Sequence, residues 1–454
     1  MKKTLVLVFG LVVLSSIVAG CGSTTGANIT TSPPGASSAI SGAPAVDAAA
    51  FRNQGDLAFV WNGVLYKLDG STGKVLRLTG NGSAADPAWS YDGQWLAYLR
   101  ITDASHGSGT LLLVRRDGTE SHQVAGLPGP VFDFSWSPAG DVLAVSGQDG
   151  LYVVPAAGEA RRIVEVLSPG FAWSPDGKSL AFNVTLPWAD RMNTSNWAER
   201  SDALYTVGVD GANPVCRVTA PQRGMIVVAG WWPGGGGLLY WLAPIHGGSV
   251  MADGLDLWSV ALNQGTSKLL TQGLVRKDWL SFTPQGKLLM VKGNSRFPWE
   301  HKELAVVDVK TGAVTALTNP LGDVSFDPAL SPDDRRIAFV AARDMAGTRI
   351  GGSPASVQAW MATADLWVKN IDGSGAVCLW TAGGGVSNPV WSRDGNSILY
   401  ARENALWIIG ADGGAPQKVV AWPSTGPDDP GMWSVSGRWA WYQPGVGNVE
   451  TGNS

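Results

Sequence analysis

The sequence predicts an all-β fold built from repeated four-stranded antiparallel units. Three observations predict it: a recurring phrase in which a short turn joins two apolar strands, a second hairpin after the copies of that phrase, and a composition suited to tight turns. The 454 residues include 59 glycines, 27 prolines and 22 tryptophans, and 15% of the residues are charged. Glycine and proline weaken helices and favour turns, so this composition suits short strands better than helices.

The phrase is clearest at residues 171–182, where Phe-Ala-Trp is followed by Ser-Pro-Asp-Gly and a second apolar strand. In such a turn proline presets φ, the Ser or Asp side chain bonds the local backbone and glycine accepts a positive φ. Eight copies, some of them weaker, centre on Trp89, Trp136, Trp173, Trp231, Phe282, Leu330, Trp391 and Trp433. A single hairpin is marginal in water, so each copy needs further strands beside it.

Those further strands follow along the chain. A third strand such as Leu204–Val207 ends at its own turn, here Asp210-Gly211, and a fourth strand such as Val215–Val218 comes next. Third strands begin at Val64, Leu111, Leu151, Leu204, Leu257, Leu304, Leu366 and Leu406. Four antiparallel strands repeated in this way predict the blades of a single β-propeller.

The two ends of the repeat are incomplete in a complementary way. The third strand at Val64 has no first strand before it, and the first strand at Trp433 has no third strand after it. We therefore predict eight blades, one of which is shared by N- and C-terminal strands that close the ring and remove its exposed edges. Both Leu57–Val60 and Trp439–Tyr442 look like the second strand of that blade, and only one can hold the place. The alternative is a seven-bladed ring with frayed ends.

The N-terminus predicts export and lipid anchoring. Lys2 and Lys3 precede an uncharged run from Leu5 to Gly20, which is typical of a signal peptide and short for a membrane span. Residues Ile17–Cys21 resemble the lipobox of bacterial lipoproteins, in which the peptidase cuts before a cysteine that carries lipid. We therefore expect a signal peptide over residues 1–20 and an extracytoplasmic protein anchored through Cys21 to the outer face of the cell membrane, or to the outer membrane of a Gram-negative source.

Residues 21–50 are expected to be a disordered tether between that cysteine and the propeller. They consist of small and polar residues and prolines with one charge, Asp47, and cannot bury enough surface to offset the entropy of ordering. The predicted propeller spans residues 51–445, and residues 446–454 are expected to form a disordered tail.

The phrase Pro-x-Trp-Ser-Pro-Asp-Gly, best matched at residues 171–182, 87–98 and 389–400, resembles the WD-like propeller repeat of the TolB family. It is also similar to the propellers of dipeptidyl peptidase IV and prolyl oligopeptidase relatives and of lipid-anchored LpqB proteins. The resemblance covers about residues 51–445. It implies the fold and says little about function, because propellers host many unrelated activities.

The sequence gives few signs of catalytic chemistry. It contains no Gly-x-Ser-x-Gly, no His-x-x-x-His and no Cys-x-x-Cys, so it predicts neither a hydrolase nucleophile nor a metal or other cofactor. Cys216 and Cys378 are interpreted as unpaired small core residues. A net charge of −4 offers no basic field for nucleic acid.

The insertions between second and third strands are the first candidate binding surface, because they lie on the same face as the entry into each first strand. They combine tryptophan and arginine, which are enriched at recognition sites, and tryptophan also stacks on sugar rings. The candidates are Trp188, Arg191, Trp197, Arg200, Arg296, Trp299, Arg349 and Trp360. The alternative is that each tryptophan packs its own loop onto the domain.

The second candidate surface is a ring of polar residues at the channel mouth. Asp86, Asp133, Asp327 and Asn388 precede their first-strand aromatic or apolar residue by the same offset. They are candidates for binding a cation or an amine, and the alternative is that they cap the strand entry as Asx turns.

Two functions remain open. The first is an anchored binding or scaffold module, expected to be a monomer, that recognises an envelope protein or a cell-envelope glycan. The second is a propeller hydrolase, lactonase-like or acting on glycans, that uses carboxylates at the channel mouth.

Overall fold

The computed structural model describes residues 43–444 except for 81, 105–106, 166–169, 187–200, 246–252, 284, 321, 348–353, 382–384 and 423–436. Its strands form four-stranded antiparallel units, and the described part also contains one eight-residue helix, Pro354–Met361, and a 3-10 turn, Lys277–Trp279. The all-β prediction is confirmed, and the arrangement is consistent with a propeller.

The units are numbered here as sheets 1 to 8, and their strands are given from the first strand outward. Sheet 1 contains Trp439–Tyr442, Asp56–Trp61, Val64–Asp69 and Val75–Arg77. Sheet 2 contains Ala84–Trp89, Trp95–Asp103, Ser108–Arg115 and Ser121–Gln123. Sheet 3 contains Val131–Trp136, Val142–Gly147, Gly150–Pro155 and Arg161–Val164. Sheet 4 contains Phe171–Trp173, Ser179–Leu186, Ser201–Gly208 and Val215–Thr219.

The second half of the chain repeats this order. Sheet 5 contains Met225–Trp231, Gly237–Ala243, Leu255–Ala261 and Ser267–Gly273. Sheet 6 contains Ser281–Phe282, Lys287–Lys292, Glu303–Asp308 and Val314–Ala316. Sheet 7 contains Asp323–Leu330, Arg336–Arg343, Asp365–Asn370 and Val377–Trp380. Sheet 8 contains Val386–Trp391, Ser397–Arg402, Ala405–Gly410 and Gln417–Ala421, with Ala45–Val46 added at its outer edge. Sheets 2 and 3 are joined through one residue pair, Gly109 with Val131.

The hydrophobic core lies between neighbouring sheets, because apolar side chains on both faces of a strand are buried. Phe59 of sheet 1 belongs to the same core cluster as Leu399 and Leu406 of sheet 8. On its other side, sheet 1 contributes Val60 and Leu65 to a cluster with sheet 2. The first sheet therefore packs against both the second and the last.

First-strand tryptophans tie neighbouring sheets together. In the described part of the chain, five of them donate the indole N–H to a backbone carbonyl in the first strand of the preceding sheet. These bonds join Trp89 to Ala440 (3.2 Å), Trp136 to Ala88 (3.0 Å), Trp173 to Ser135 (3.2 Å), Trp231 to Ala172 (3.0 Å) and Trp391 to Ala329 (3.0 Å). Sheets 6 and 7 carry Phe282 and Leu330 at this position, and neither side chain can donate.

The turn after the tryptophan forms as predicted. Ser174 Oγ donates to Asp176 Oδ1 at 2.6 Å and accepts the Ser179 N–H at 2.9 Å, and Gly177 takes a φ of 65°. The hydrogen bond from Ser174 is the largest of the effects that lower the pKa of Asp176. The charged carboxylate therefore holds the backbone of the hairpin in place.

The order of the terminal strands corrects the sequence-based assignment. Trp439–Tyr442 pairs antiparallel with Asp56–Trp61 and takes the first-strand place in sheet 1, while Asp56–Trp61 takes the second. The first strand of this sheet is thus not centred on Trp433, which lies outside the described residues. Both segments are apolar runs of similar length, so their composition does not determine which of the two is the first strand.

The ordered fold also begins earlier than the predicted boundary at residue 51. Ala45 pairs with Ala421 and Val46 with Val420, and the Asp47 N–H donates to Val419 O at 2.9 Å. Residues 43–50 are therefore part of the described fold and not of the tether, because backbone pairing stabilises them although their side chains are small. The remainder of the predicted tether, residues 21–42, lies outside the described residues, as does the predicted tail.

The interpretation of both cysteines as core residues is wrong for Cys216. It is an exposed free thiol on the fourth strand of sheet 4, and Cys378 is half-buried and free on the fourth strand of sheet 7. The fourth strand lies at the outer edge of its sheet, where an apolar sequence is not sufficient for burial.

We expect Trp136→Phe to lower the free energy of unfolding by about 1 kcal/mol, because it removes the indole donor to Ala88 O while Phe282 shows that a phenyl ring fits this position. Denaturant titration measures the change. The matched control is Trp258→Phe, since the Trp258 indole nitrogen is buried without a hydrogen-bond partner in the described structure. Equal losses in both variants would show that the linking hydrogen bond contributes nothing.

Candidate functional site

Three of the four predicted channel-mouth residues share an unusual backbone conformation. Asp86, Asp327 and Asn388 have φ values of 50°, 46° and 50°, and each precedes a proline. Each lies at a break in register between the first and second strands of its sheet. Asp and Asn tolerate the left-handed region, and proline fits a β-bulge because it lacks the N–H that the ladder requires. The equal position of these three residues in their repeats therefore reflects a β-bulge that the three sheets have in common.

Asp133 differs from these three. It is followed by Phe134 and not by a proline, it pairs with Ser146, and the register break of its sheet lies just before it, between Val131 and Asp133. It nevertheless lies close enough to Asp86 for its charge to contribute to the raised pKa of that carboxyl. The structure therefore brings Asp86 and Asp133 together on sheets 2 and 3.

The other two residues form a separate pair on sheets 7 and 8. The Asn388 backbone N–H donates to Asp327 Oδ2 at 3.1 Å, and Asp327 is 5% exposed. The Trp279 indole N–H donates to the other oxygen, Asp327 Oδ1. Asp327 thus has a structural role as the acceptor that joins two first strands and the turn before sheet 6.

That turn contributes residues that the sequence analysis missed. Arg276 chelates Asp278 with donor–acceptor distances of 3.0 and 2.5 Å, and its guanidinium lies 5.1 Å from the Trp279 ring centroid. Lys277 Nζ donates to Phe171 O, in the first strand of sheet 4, at 3.2 Å. The sequence feature that could have indicated these residues is the charged run Arg-Lys-Asp, which lies directly before a weak copy of the repeat. We call Asp86, Asp133, Asp327, Asn388 and residues 276–279 the first-strand site.

Burial governs the electrostatics of this site. Desolvation, followed by the charge of Asp133, raises the pKa of Asp86 to about 6. Burial also raises the pKa of Asp133, and the Lys277 ammonium opposes part of that rise. Burial raises the pKa of Asp327 as well, against the charge of Arg276. All three carboxyls are poorly solvated, and cationic groups stabilise the charged forms of Asp133 and Asp327.

The insertion residues in the described part serve packing more than recognition. Trp299 is 9% exposed and lies between Phe297 (ring centroids 4.7 Å apart) and Trp360 (5.6 Å). Trp360 is 4% exposed, donates to Arg343 O at 2.8 Å and stacks on Phe326. The prediction that these two tryptophans present a binding surface is therefore wrong, because their rings bury the insertions against sheet 7.

Arg296 lies on the surface beside them and pairs with Asp253 at 2.7 Å, with 36% of its side chain exposed. The remaining candidates lie outside the described residues and stay predictions: Cys21, Trp188, Arg191, Trp197, Arg200 and Arg349.

A cavity of about 250 Å³ lies next to Asp86 and is lined by residues of sheets 1 and 2. Asn62 and Gly63 line it from the turn after the second strand of sheet 1, and Ala84 and Ala85 line it from the residues just before Asp86. Trp422 forms another wall and donates its indole N–H to Val60 O at 2.5 Å. The first-strand site therefore has a small, mostly apolar recess next to its Asp86 end.

Two further properties concern the described residues alone. Their His, Cys, Asp and Glu side chains form no group of three or more that could hold a metal ion. Among these same residues, we find no helix with the length and apolarity needed to span a membrane.

We expect Asp86→Asn to raise the melting temperature by about 1–2 °C at about pH 8 and to leave it unchanged near pH 4. The folded state raises this pKa from 3.8 to about 6, so wild-type stability falls as pH rises across that window, and the amide removes the loss. Asn388 shows that an amide fits the bulge at φ 50°. A variant whose melting curve follows the wild type at every pH would contradict the assigned burial.

Comparison with known proteins supports the fold. No family model and no curated protein matches the sequence. Among solved structures, dipeptidyl peptidase 4 of Porphyromonas gingivalis is similar with a TM-score of 0.54 and 13% identity, covering 79% of this chain and 56% of that one. A putative TolB of Agrobacterium tumefaciens matches at 17% identity and TM-score 0.36, covering 70% of this chain and 98% of its own. Oligogalacturonate lyase of Vibrio parahaemolyticus matches at 12% identity and TM-score 0.48, covering 82% and 99%.

The likeness to the Porphyromonas enzyme concerns fold alone at this identity, and this chain spans 56% of that enzyme's length. Together with the sheet order, it is consistent with a propeller of antiparallel four-stranded sheets.

Proposed function

We propose that this protein is a lipid-anchored binding module outside the bacterial cytoplasm, an eight-bladed propeller that recognises a protein or an envelope glycan through the face that carries the first-strand site. Three lines of evidence support the proposal. The sequence around Cys21 resembles a lipobox. The described residues form eight four-stranded units, and the first of them combines strands from the N-terminal and C-terminal parts of the described chain. Sheet 1 packs against sheet 8, which favours a closed ring.

The observation that carries the binding function is that part of the site is already organised by its own hydrogen bonds. Asp327 accepts from Trp279 and from the Asn388 backbone, and Arg276 is fixed by Asp278. A carboxylate held by such bonds is fixed in place as an acceptor and is less suited to shuttle protons. A rigid, half-buried polar surface with an adjoining recess suits recognition, because little ordering entropy is lost on binding.

A second function has one observation in its favour. The pKa of about 6 at Asp86, with Asp133 beside it, is the pattern of a carboxyl pair in which one member holds a proton. A glycan hydrolase would use such a pair. If purified envelope polysaccharide releases reducing ends with the wild type and not with Asp86→Asn, the hydrolase replaces the binding module as the better description.

The anchoring part of the proposal predicts the behaviour of Cys21→Ser. The wild type is expected in the membrane fraction and in the detergent phase of a phase separation, because the lipid inserts its acyl chains. The serine variant cannot accept lipid and is expected in the aqueous phase. Cys216→Ser is the matched control, since it removes an exposed thiol far from the N-terminus. Retention of the Cys21 variant in the detergent phase would refute the anchor.

The binding part predicts that full-length tagged protein, cross-linked in cells of its source, captures a specific envelope partner. Capture should fall at least about tenfold with Asp133→Asn, a change of about 1.4 kcal/mol in binding. It should persist with Asp372→Asn, which alters a carboxylate in an outer turn that bonds only its local segment. Equal capture by both variants would remove the first-strand site from the binding surface.

A further inference from the structure

We propose that the first-strand site binds a primary ammonium group at a position that we call the ammonium seat. In the free protein the side chain of Lys277 occupies this seat. The inference rests on the binding function proposed above and names its ligand class: a lysine side chain or an N-terminus of a polypeptide partner. Four acceptor groups, drawn from sheets 2, 3 and 4, make up the seat, and they are considered in turn.

The first acceptor is the one that Lys277 uses. Its ammonium donates to Phe171 O at 3.2 Å, across the site from its own place before sheet 6. An ammonium group has three donors, so this bond leaves two for other acceptors or for water. The lysine is thus held by one direct bond and by the charge around it.

The second acceptor is a buried amide oxygen with no partner. Asn183, on the second strand of sheet 4, is 3% exposed, and its Oδ1 has no hydrogen-bond partner in the described structure. A β-carbon placed on Gly170 would lie 3.7 Å from Asn183 Oδ1 and 3.9 Å from Lys277 Nζ. Both atoms therefore face the same gap beside Gly170. A buried acceptor without a donor is costly, and a bound N–H group would satisfy it.

The remaining acceptors are the carboxylates of Asp133 and Asp86. The Lys277 charge acts on Asp133, and the Asp133 charge acts on Asp86, so the three groups form one electrostatic cluster. The Lys277 ammonium opposes the rise in the pKa of Asp133, so a cation at this position stabilises the charged form of that carboxylate.

The spacing of these acceptors suits an ammonium better than a metal ion. Metal ions need several oxygens converging at 2.0–2.6 Å, and the described residues hold no such group of carboxylates. An ammonium reaches separate acceptors at about 2.8–3.2 Å through separate N–H bonds. One carbonyl and one amide oxygen of sheet 4, with one carboxylate each from sheets 2 and 3, match that requirement.

The link that carries Lys277 allows the exchange. Its neighbours are fixed, since Arg276 is paired with Asp278 and Trp279 is bonded to Asp327. The lysine side chain between them has four flexible bonds and needs only to swing out. An incoming ammonium replaces it charge for charge, so the seat never holds an uncompensated carboxylate.

The experiment titrates the full-length protein in detergent with N-acetyl-lysine-N-methylamide, using the norleucine analogue as the uncharged probe. Wild type is expected to bind the lysine probe weakly and the norleucine probe not at all. Lys277→Ala empties the seat and should tighten binding by about tenfold. The double variant Lys277→Ala/Asp133→Asn should lose the binding, and Asn183→Leu should weaken it in the Lys277→Ala background. Melting curves confirm that each variant is folded.

Lys268→Ala is the matched control, because the Lys268 ammonium also donates to two backbone carbonyls, at 3.0 and 3.1 Å, on an exposed edge far from the site. Its affinity should equal that of the wild type. The inference is overturned if Lys277→Ala binds no better than Lys268→Ala, if the norleucine probe binds equally, or if calcium or potassium alone raises the melting temperature of Lys277→Ala while the lysine probe does not.

The two proposals fail separately. If capture of the cross-linked partner falls with Asp133→Asn and the lysine probe binds no variant, the proposed binding function stands and the ammonium seat is refuted. If the lysine probe binds as expected and no partner is captured in cells, the seat stands and the proposed function loses its support.

Discussion

The hydrogen bond from a first-strand tryptophan to the carbonyl of the preceding sheet is the interaction on which the rest of the structure depends. Each bond fixes how far one first strand can slide past the next. The channel-mouth residues lie three positions before that anchor, as with Asp133 before Trp136 and Asn388 before Trp391. The tryptophan therefore sets the position of each polar group along its first strand, and this brings polar residues of several sheets to the same level.

This linkage is interrupted at sheets 6 and 7, where Phe282 and Leu330 cannot donate. The same region holds the aromatic cluster of Trp299, Trp360 and Phe326, and the Trp279 indole bonds to Asp327 there. Aromatic burial and one charge-assisted bond replace the missing carbonyl links. The packed insertions and the turn before sheet 6 thus together stabilise the part of the fold that lacks the tryptophan hydrogen bonds. The same turn places Arg276 and Lys277 in the site.

The periodic part of the molecule could be predicted from the sequence and the aperiodic part could not. The strands around Trp89, Trp173 and Trp391 follow from a repeated phrase whose turn chemistry is local. The role of Lys277 depends on Phe171, which is more than a hundred positions away, and no local pattern encodes that contact. Burial of Trp299 was equally hidden, because an indole with a polar N–H suits both a surface and a core. At the chain ends, Leu57–Val60 and Trp439–Tyr442 have the same apolar character, so only the pairing itself distinguishes them.

The short strand at Ala45–Val46 determines how the protein carries a mechanical load. A pull on the chain before residue 43 reaches the fold first through two residue pairs, Ala45 with Ala421 and Val46 with Val420, and through the Asp47–Val419 bond. This pairing lies on the outer edge of sheet 8, outside its four-stranded sheet. Under tension these few bonds break before a strand of that sheet is stressed, which releases several residues at the start of the described fold and leaves the first strands in register.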